Sequence, residues 1–276
     1  MTAGWKPEPL FSPSACSAPF ASSRWNLRCR LATPAIHDAS SVAADPTVSI
    51  YPNAMIDKLE RWAWWGGASL AGIAGVVNVV GLQSYTHQAI THVTGTTTLF
   101  SQALARGNGV GIVELSLILL SFTFGAALGG FIIQDAVLRL GRRYGVALFL
   151  ESILLFVASA LMHSNRVTGG CVASIACGLQ NAMASTYSGT ILRTSHLTGM
   201  YTDIGAAMGH LARGAPVAWI RIRLYTLIIA SFGIGGVIGS LLYPRFGSQS
   251  LYFPAALTGV VAIVYTAYAH ARRKKA

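Results

Sequence analysis

Two matched clusters carry the side chains best suited to chemistry. Thr91-His92-Val93-Thr94-Gly95 recurs as Ser195-His196-Leu197-Thr198-Gly199, so each copy sets an imidazole and two hydroxyls just ahead of a glycine. Such a group can hold a polar or anionic solute by hydrogen bonds, and its imidazole changes charge near neutral pH. An amide precedes each copy, Asn78 in one and Gln180 with Asn181 in the other. Each copy also runs on to Ala-Arg-Gly, at Ala105-Arg106-Gly107 and Ala212-Arg213-Gly214. Thr94 and Thr198 are suited to N-cap a helix, Gly95 and Gly199 tolerate a tight turn, and Gly107 and Gly214 suit a C′ exit. Each motif is therefore expected to open a short helix. Leu99, Phe100 and Leu104 would line one side of the first, and Tyr201, Ile204, Met208 and Leu211 one side of the second. The candidate binding set is His92, Thr94, Gly95, His196, Thr198 and Gly199, backed by Asn78, Gln180 and Asn181. The competing expectation is that these groups only tie helices together.

Beyond residue 61 the carboxylates are Glu114, Asp135, Glu151 and Asp203. Glu114, near the non-cytoplasmic edge of its run, can reach the interface or serve as a proton or cation site. Glu151, about a third of the way into the next run, is deeper and joins the candidate set, the competing expectation being a structural hydrogen bond. Asp203 would contribute only if its helix dips into the membrane. Asp135 and Arg139, at i and i+4, suit a helix-end pair. His87, His92, His196 and His210 lack the spacing of a metal site, so no metal and no cofactor is expected. Cys16, Cys29, Cys171 and Cys177 read as small packing residues. No nucleophile and base stand together, which argues against an enzyme.

The elements that position these residues follow from composition. With 53% hydrophobic and only 11% charged residues, and a mean hydropathy of +0.53, the chain is not a water-soluble domain and its first partner is the lipid bilayer. The net charge of +11 does not imply nucleic acid, because the basic residues punctuate apolar runs instead of forming one face. Runs of spanning length occur at 64–82, 110–133, 144–162, 169–187, 224–243 and 251–270. The segments 90–104 and 194–211 are weaker, being loaded with Thr, His and Gly. Six spans put Lys58, Arg61, Arg139, Arg142, Arg143, Arg193, Arg213, Arg221, Arg223 and the Arg272–Lys275 cluster on one side. Only Arg106, Arg166 and Arg245 fall on the other. Eight spans give a weaker bias, so six with both termini cytoplasmic is preferred.

The expected fold is thus an all-α polytopic membrane helix bundle, a membrane domain over 62–276 following a Ser/Ala/Pro-rich disordered tail over 1–61. Met55 offers an alternative start within that tail. The doubled motifs divide the domain into repeats at about 64–163 and 169–270. Three spans per repeat would invert the second copy, the plan of many secondary transporters. Each repeat also has a Gly-xxx-Gly pair, Gly125/Gly129 and Gly235/Gly239, and Gly67, Ala71 and Gly75 add a small face to the first span. These faces suit close helix packing or a homodimer. Trp62, Trp64 and Trp65 read as interfacial anchors.

The Gly-rich first helix, the Thr-His-x-Thr-Gly motif, Gly178 to Ala182 (Gly-Leu-Gln-Asn-Ala) and Arg193 to Gly199 (Arg-Thr-Ser-His-Leu-Thr-Gly) together resemble the YoaK-like family of bacterial integral membrane proteins, grouped as domain of unknown function 1275. The resemblance covers roughly 64–270 and departs from the family pattern at Asn78, Thr96 and Met200. It implies a bacterial inner-membrane protein of about six helices and supplies no activity. From the site itself, the expected function is transport of a small anionic or polar solute or an ion. The alternative is a structural or partner-binding membrane protein.

Overall fold

In hydrocarbon a backbone N–H or C=O finds no water, so apolar runs satisfy their hydrogen bonds internally as helices. The computed structural model describes residues 61–84, 90–133, 142–188 and 193–273, and every regular element among them is helical. In chain order these are α1 (Arg61–Ser84), α2 (Val93–Ala105), α3 (Gly109–Ile132), α4 (Arg142–Ser164), α5 (Arg166–Ser188), α6 (Leu197–Ala212), α7 (Trp219–Phe246) and α8 (Tyr252–Arg273). A short 3-10 helix, Gly247–Leu251, joins the last two. The six expected spanning runs fall on the helices α1, α3, α4, α5, α7 and α8, and the two weaker segments on α2 and α6; α5 is not apolar enough to count as a crossing stretch by length and composition. The 1–61 tail with its Met55 start, His87, and the Asp135 and Arg139 pair lie outside the described residues, Arg61 alone excepted.

Four stretches are long and apolar enough to cross a membrane: Trp62–Ser84, Gly109–Ile132, Arg143–Ser164 and Trp219–Ala271, the last holding both α7 and α8. Large apolar side chains on these stretches point outward, among them Val113, Leu120, Phe124, Phe131, Phe149, Ile234, Val237 and Ile263. An apolar exterior of this extent needs lipid around it. The chain is a membrane-embedded helical protein.

Close packing is arranged by glycine. The most extensive helix contacts are α1 on α7 and α3 on α5, followed by α4 on α5 and α4 on α8. Gly75 of α1 lies against the Phe232 carbonyl of α7, and Gly178 of α5 lies against the Phe122 carbonyl of α3. A Cβ at either would run into backbone. The Gly-xxx-Gly faces answer them: Gly235 meets the backbone of Gly72 and Gly239 that of Val76, while Gly125 meets Ile175 and Gly129 meets Leu179. These faces are therefore filled within the chain. Ile73, Val76, Val77 and Val80 of α1 form a buried core with Leu155 of α4, Leu179 of α5, Leu224 and Ile228 of α7, and Leu251.

The short helices depart from their expected faces. On α2 the buried residues are Thr96 and Ala103 while Leu104 is exposed. On α6 Met200 is buried, and Tyr201, Met208 and Leu211 face outward. Leu99, Phe100 and Ile204 are half-buried, so the apolar sides named from sequence are only partly turned toward neighbouring helices.

Candidate functional site

Each short helix begins where an amide from the preceding long helix holds the chain. The Asn78 Oδ1 of α1 accepts from the Thr91 hydroxyl at 2.7 Å and from its backbone N–H at 3.3 Å. In the other half the Asn181 Oδ1 of α5 accepts from the Ser195 hydroxyl at 2.7 Å and from the Thr194 hydroxyl at 3.5 Å, while its Nδ2 donates to the Cys177 carbonyl at 3.1 Å. Asn78 stands six residues before the end of α1 and Asn181 seven before the end of α5. At 1.5 Å rise per residue the chain has returned by roughly 9–10 Å alongside the helix it has just left. Gly81, packed against the Ile90 side chain, gives the returning strand room.

These amide clamps correct the expected caps. The N-cap residues are His92 and His196, neither with a side-chain capping bond, and Thr94 and Thr198 lie inside the helices. Tertiary bonds to Thr91 and Ser195 fix the starts two residues earlier than local cap chemistry alone would. The exits do follow local chemistry. Gly107 and Gly214 adopt φ of 64° and 71°, the left-handed conformation that suits a glycine at C′.

The two caps lie within electrostatic reach of each other, His92 half-buried and His196 exposed. His92 packs edge-on to Phe232, midway along α7, with ring centroids 6.1 Å apart. Burial lowers its affinity for a proton below the usual histidine range. His196 is lowered too, by burial first, then by the Arg193 guanidinium and then by the charge of His92. The imidazoles are thus close enough to sense each other's protonation. Arg193 Nη1 lies 3.2 Å from His196 Nδ1. Asp203 of α6 lies close enough to Tyr225 of α7 for its charge to act on the phenol, as do Arg221 and Arg193. Thr94, Gly95, Thr198 and Gly199 are exposed, and a Cβ on either glycine would meet open space.

Two of the sequence candidates lie elsewhere. Gln180 is buried and donates from Nε2 to the Leu70 carbonyl of α1 at 3.0 Å, so it joins helices. Glu151 is 2% exposed within α4 and belongs to a different part of the bundle. Tyr225 and Phe232 enter the histidine cluster although no motif marks them, and Arg193, the first residue of the Arg193–Gly199 motif, is not among the candidates read from sequence. Arg193 reads in sequence as a topology signal, and the other two sit in an apolar run. The nearest signal is spacing: Thr91 and Ser195 follow their asparagines by almost the same interval, as a repeated clamp requires. Among the described residues no three His, Cys, Asp or Glu side chains gather to hold a metal.

The arrangement can do recognition chemistry. The opening turns of α2 and α6 leave backbone N–H groups without intrahelical partners and place two positive dipole ends beside a guanidinium and two imidazoles. No curated protein and no solved structure shows significant similarity to the chain. The family model described as "Protein of unknown function (DUF1275)" matches residues 66–264, which is most of the membrane domain, and the chain belongs to that family.

Proposed function

We propose that the protein is a transporter of a small anionic or polar solute, built from two inverted three-span repeats with the histidine cluster as its binding site. In this reading α1, α3 and α4 cross the membrane, and α5, α7 and α8 cross it in the opposite sense. The contacts of α1 with α7 and of α5 with α3 support the repeat, since Gly75, Gly235 and Gly239 in one pair answer Gly178, Gly125 and Gly129 in the other. At 13 and 16 residues, α2 and α6 reach only about 20 and 24 Å, short of the roughly 30 Å core. They act as half-helices entering from opposite faces, and half-helix N-termini near the midplane are where such transporters hold anionic groups.

The observation that carries the proposal is the proximity of His92 and His196, residues 104 positions apart. Two elbows entering from opposite faces meet only if both reach the interior. Neutral imidazoles, Arg193 and the free N–H groups together suit a carboxylate or phosphate-like group. The test is a thermal-shift screen of the detergent-purified full chain against small carboxylates, inorganic phosphate and neutral polyols. A bound solute at 100 times its Kd should add about 2.7 kcal/mol of apparent stability, and the His92→Ala/His196→Ala variant should lose that response. An unchanged response in the double variant would refute the site.

One observation favours a second reading, a membrane protein that docks a partner or a second copy. Thr94, Thr98, Ser101 and Ala105 form an exposed small-residue stripe on α2, and Thr198, Thr202, Gly205 and Gly209 form its match on α6. Small stripes allow helices to approach closely in lipid. Cysteines placed at Thr98 or Gly205 would cross-link between copies under this reading and stay monomeric under the first.

A further inference from the structure

The packing around α4 holds polar groups that the histidine cluster does not use. Glu151 is 2% exposed, its Oε2 has no hydrogen-bond partner, and no other Asp or Glu lies between residues 142 and 188. From α5, Cys177 comes close enough for the carboxyl's charge to reach it. One turn away on α5, the Ser174 hydroxyl is 0% exposed and also without a partner, as is Ser250 Oγ in the 3-10 helix at 3%. Two turns beyond Glu151 on the same buried side of α4, about 12 Å along the axis, Ser159 Oγ donates to the Ser248 carbonyl at 3.1 Å. Ser174 and Ser250 thus sit on elements packed against α4, and Ser159 on α4 itself, toward the end of the bundle that the 3-10 helix closes. Other titratable groups stand on the elements around α4. Tyr252 and Tyr265 of α8 pack on Phe156 and Tyr144, and His270 of α8 shares a cavity with Gly145 and Phe149. α5 carries Arg166, Cys171 and Tyr187, the 3-10 helix has none, and Glu114 is the one carboxyl of α3.

An ionised carboxylate with one oxygen left unpartnered is strongly disfavoured in such surroundings, and the neutral acid less so. We propose that Glu151 is a proton-binding site within the bundle, loaded and emptied through the hydroxyls of Ser174, Ser250 and Ser159 from the end closed by the 3-10 helix. On loading, a hydronium ion at the closed end gives up a proton, each hydroxyl on the route takes one proton as it passes its own on, and the last O–H bond forms on the carboxylate. Emptying reverses every step, and no electrons are exchanged. Use of this proton to drive a solute rests on the transport reading; the proton site itself does not.

The test is infrared spectroscopy of the full chain in lipid nanodiscs, in the carbonyl region of protonated carboxylic acids. At neutral pH the wild type should show a band that Glu151→Gln lacks, that Glu151→Asp shifts, and that fades as the pH is raised. Ser174→Ala/Ser250→Ala should keep the band but slow its exchange in D2O at least tenfold. Identical spectra for wild type and Glu151→Gln, or a band insensitive to both pH and D2O, would overturn the site. If Glu151→Gln does not fold, a band that stays put in Glu151→Asp would overturn it equally. Unchanged exchange in the serine variant would overturn the hydroxyl route. A titrating band in a protein that answers no solute would leave the proton site and remove transport; a solute response without the band would do the reverse.

Discussion

At the scale of single residues, the candidate site is governed by two asparagines and two histidines. Asn78 is buried, and its one carbonyl oxygen holds both polar groups of Thr91. Asn78→Ala should lower stability by about 1–3 kcal/mol, because it leaves buried partners unsatisfied, and Asn181→Ala should act in the same direction. Thermal unfolding in detergent, followed by circular dichroism, would measure both. The histidines set a pH dependence whose sign is fixed. Both bind protons less readily in the folded chain than at the ordinary value of 6.5. On acidification through that value the unfolded chain gains protons that the folded chain refuses, so stability is full above it and falls below. A melting midpoint that drops between pH 7 and 5.5, with a flatter profile in His92→Gln/His196→Gln, is the expected outcome. A midpoint that rises on acidification would contradict it.

At the scale of helices, glycines fall into two groups whose substitutions should have opposite effects. Gly178→Ala and Gly75→Ala put a methyl into the backbone of a crossing helix and should destabilise by about 1–3 kcal/mol through overpacking. Gly95→Ala and Gly199→Ala meet open space and should be neutral or stabilising by up to about 1 kcal/mol through helix propensity. Melting midpoints of the four variants, compared side by side, would decide it. The same residues show how much was legible in sequence. Spanning runs and the exits at Gly107 and Gly214 were readable because they depend on length, apolarity and a single backbone angle. The helix starts were not, since Thr91 and Ser195 are fixed by asparagines more than a dozen residues upstream. Which glycine faces which helix was also hidden, because α3 and α7 are similarly apolar and carry the same Gly-xxx-Gly spacing. Arg193 reaches His196 from three residues away in the same motif, whereas Tyr225 and Phe232 join the cluster only through tertiary packing.

At the scale of the whole molecule, the transport proposal requires the loops after α2 and α6 to lie on opposite sides of the membrane. Single cysteines replacing Arg106 and Arg213, in a chain freed of its four native cysteines, should react with an impermeant maleimide from opposite faces of sealed vesicles. Labelling of both from one face would remove the inverted repeat. The glycine contacts also bear on how the molecule is made. Gly75 rests on Phe232, 157 residues later in the chain, and at 5–20 residues per second a ribosome needs about 8–30 s to cover that interval. Throughout that interval α1 waits in the bilayer with its seat for α7 unfilled. Biogenesis of this protein is accordingly a late-locking process, and a chain truncated before α7 would be a ready substrate for membrane quality-control proteases.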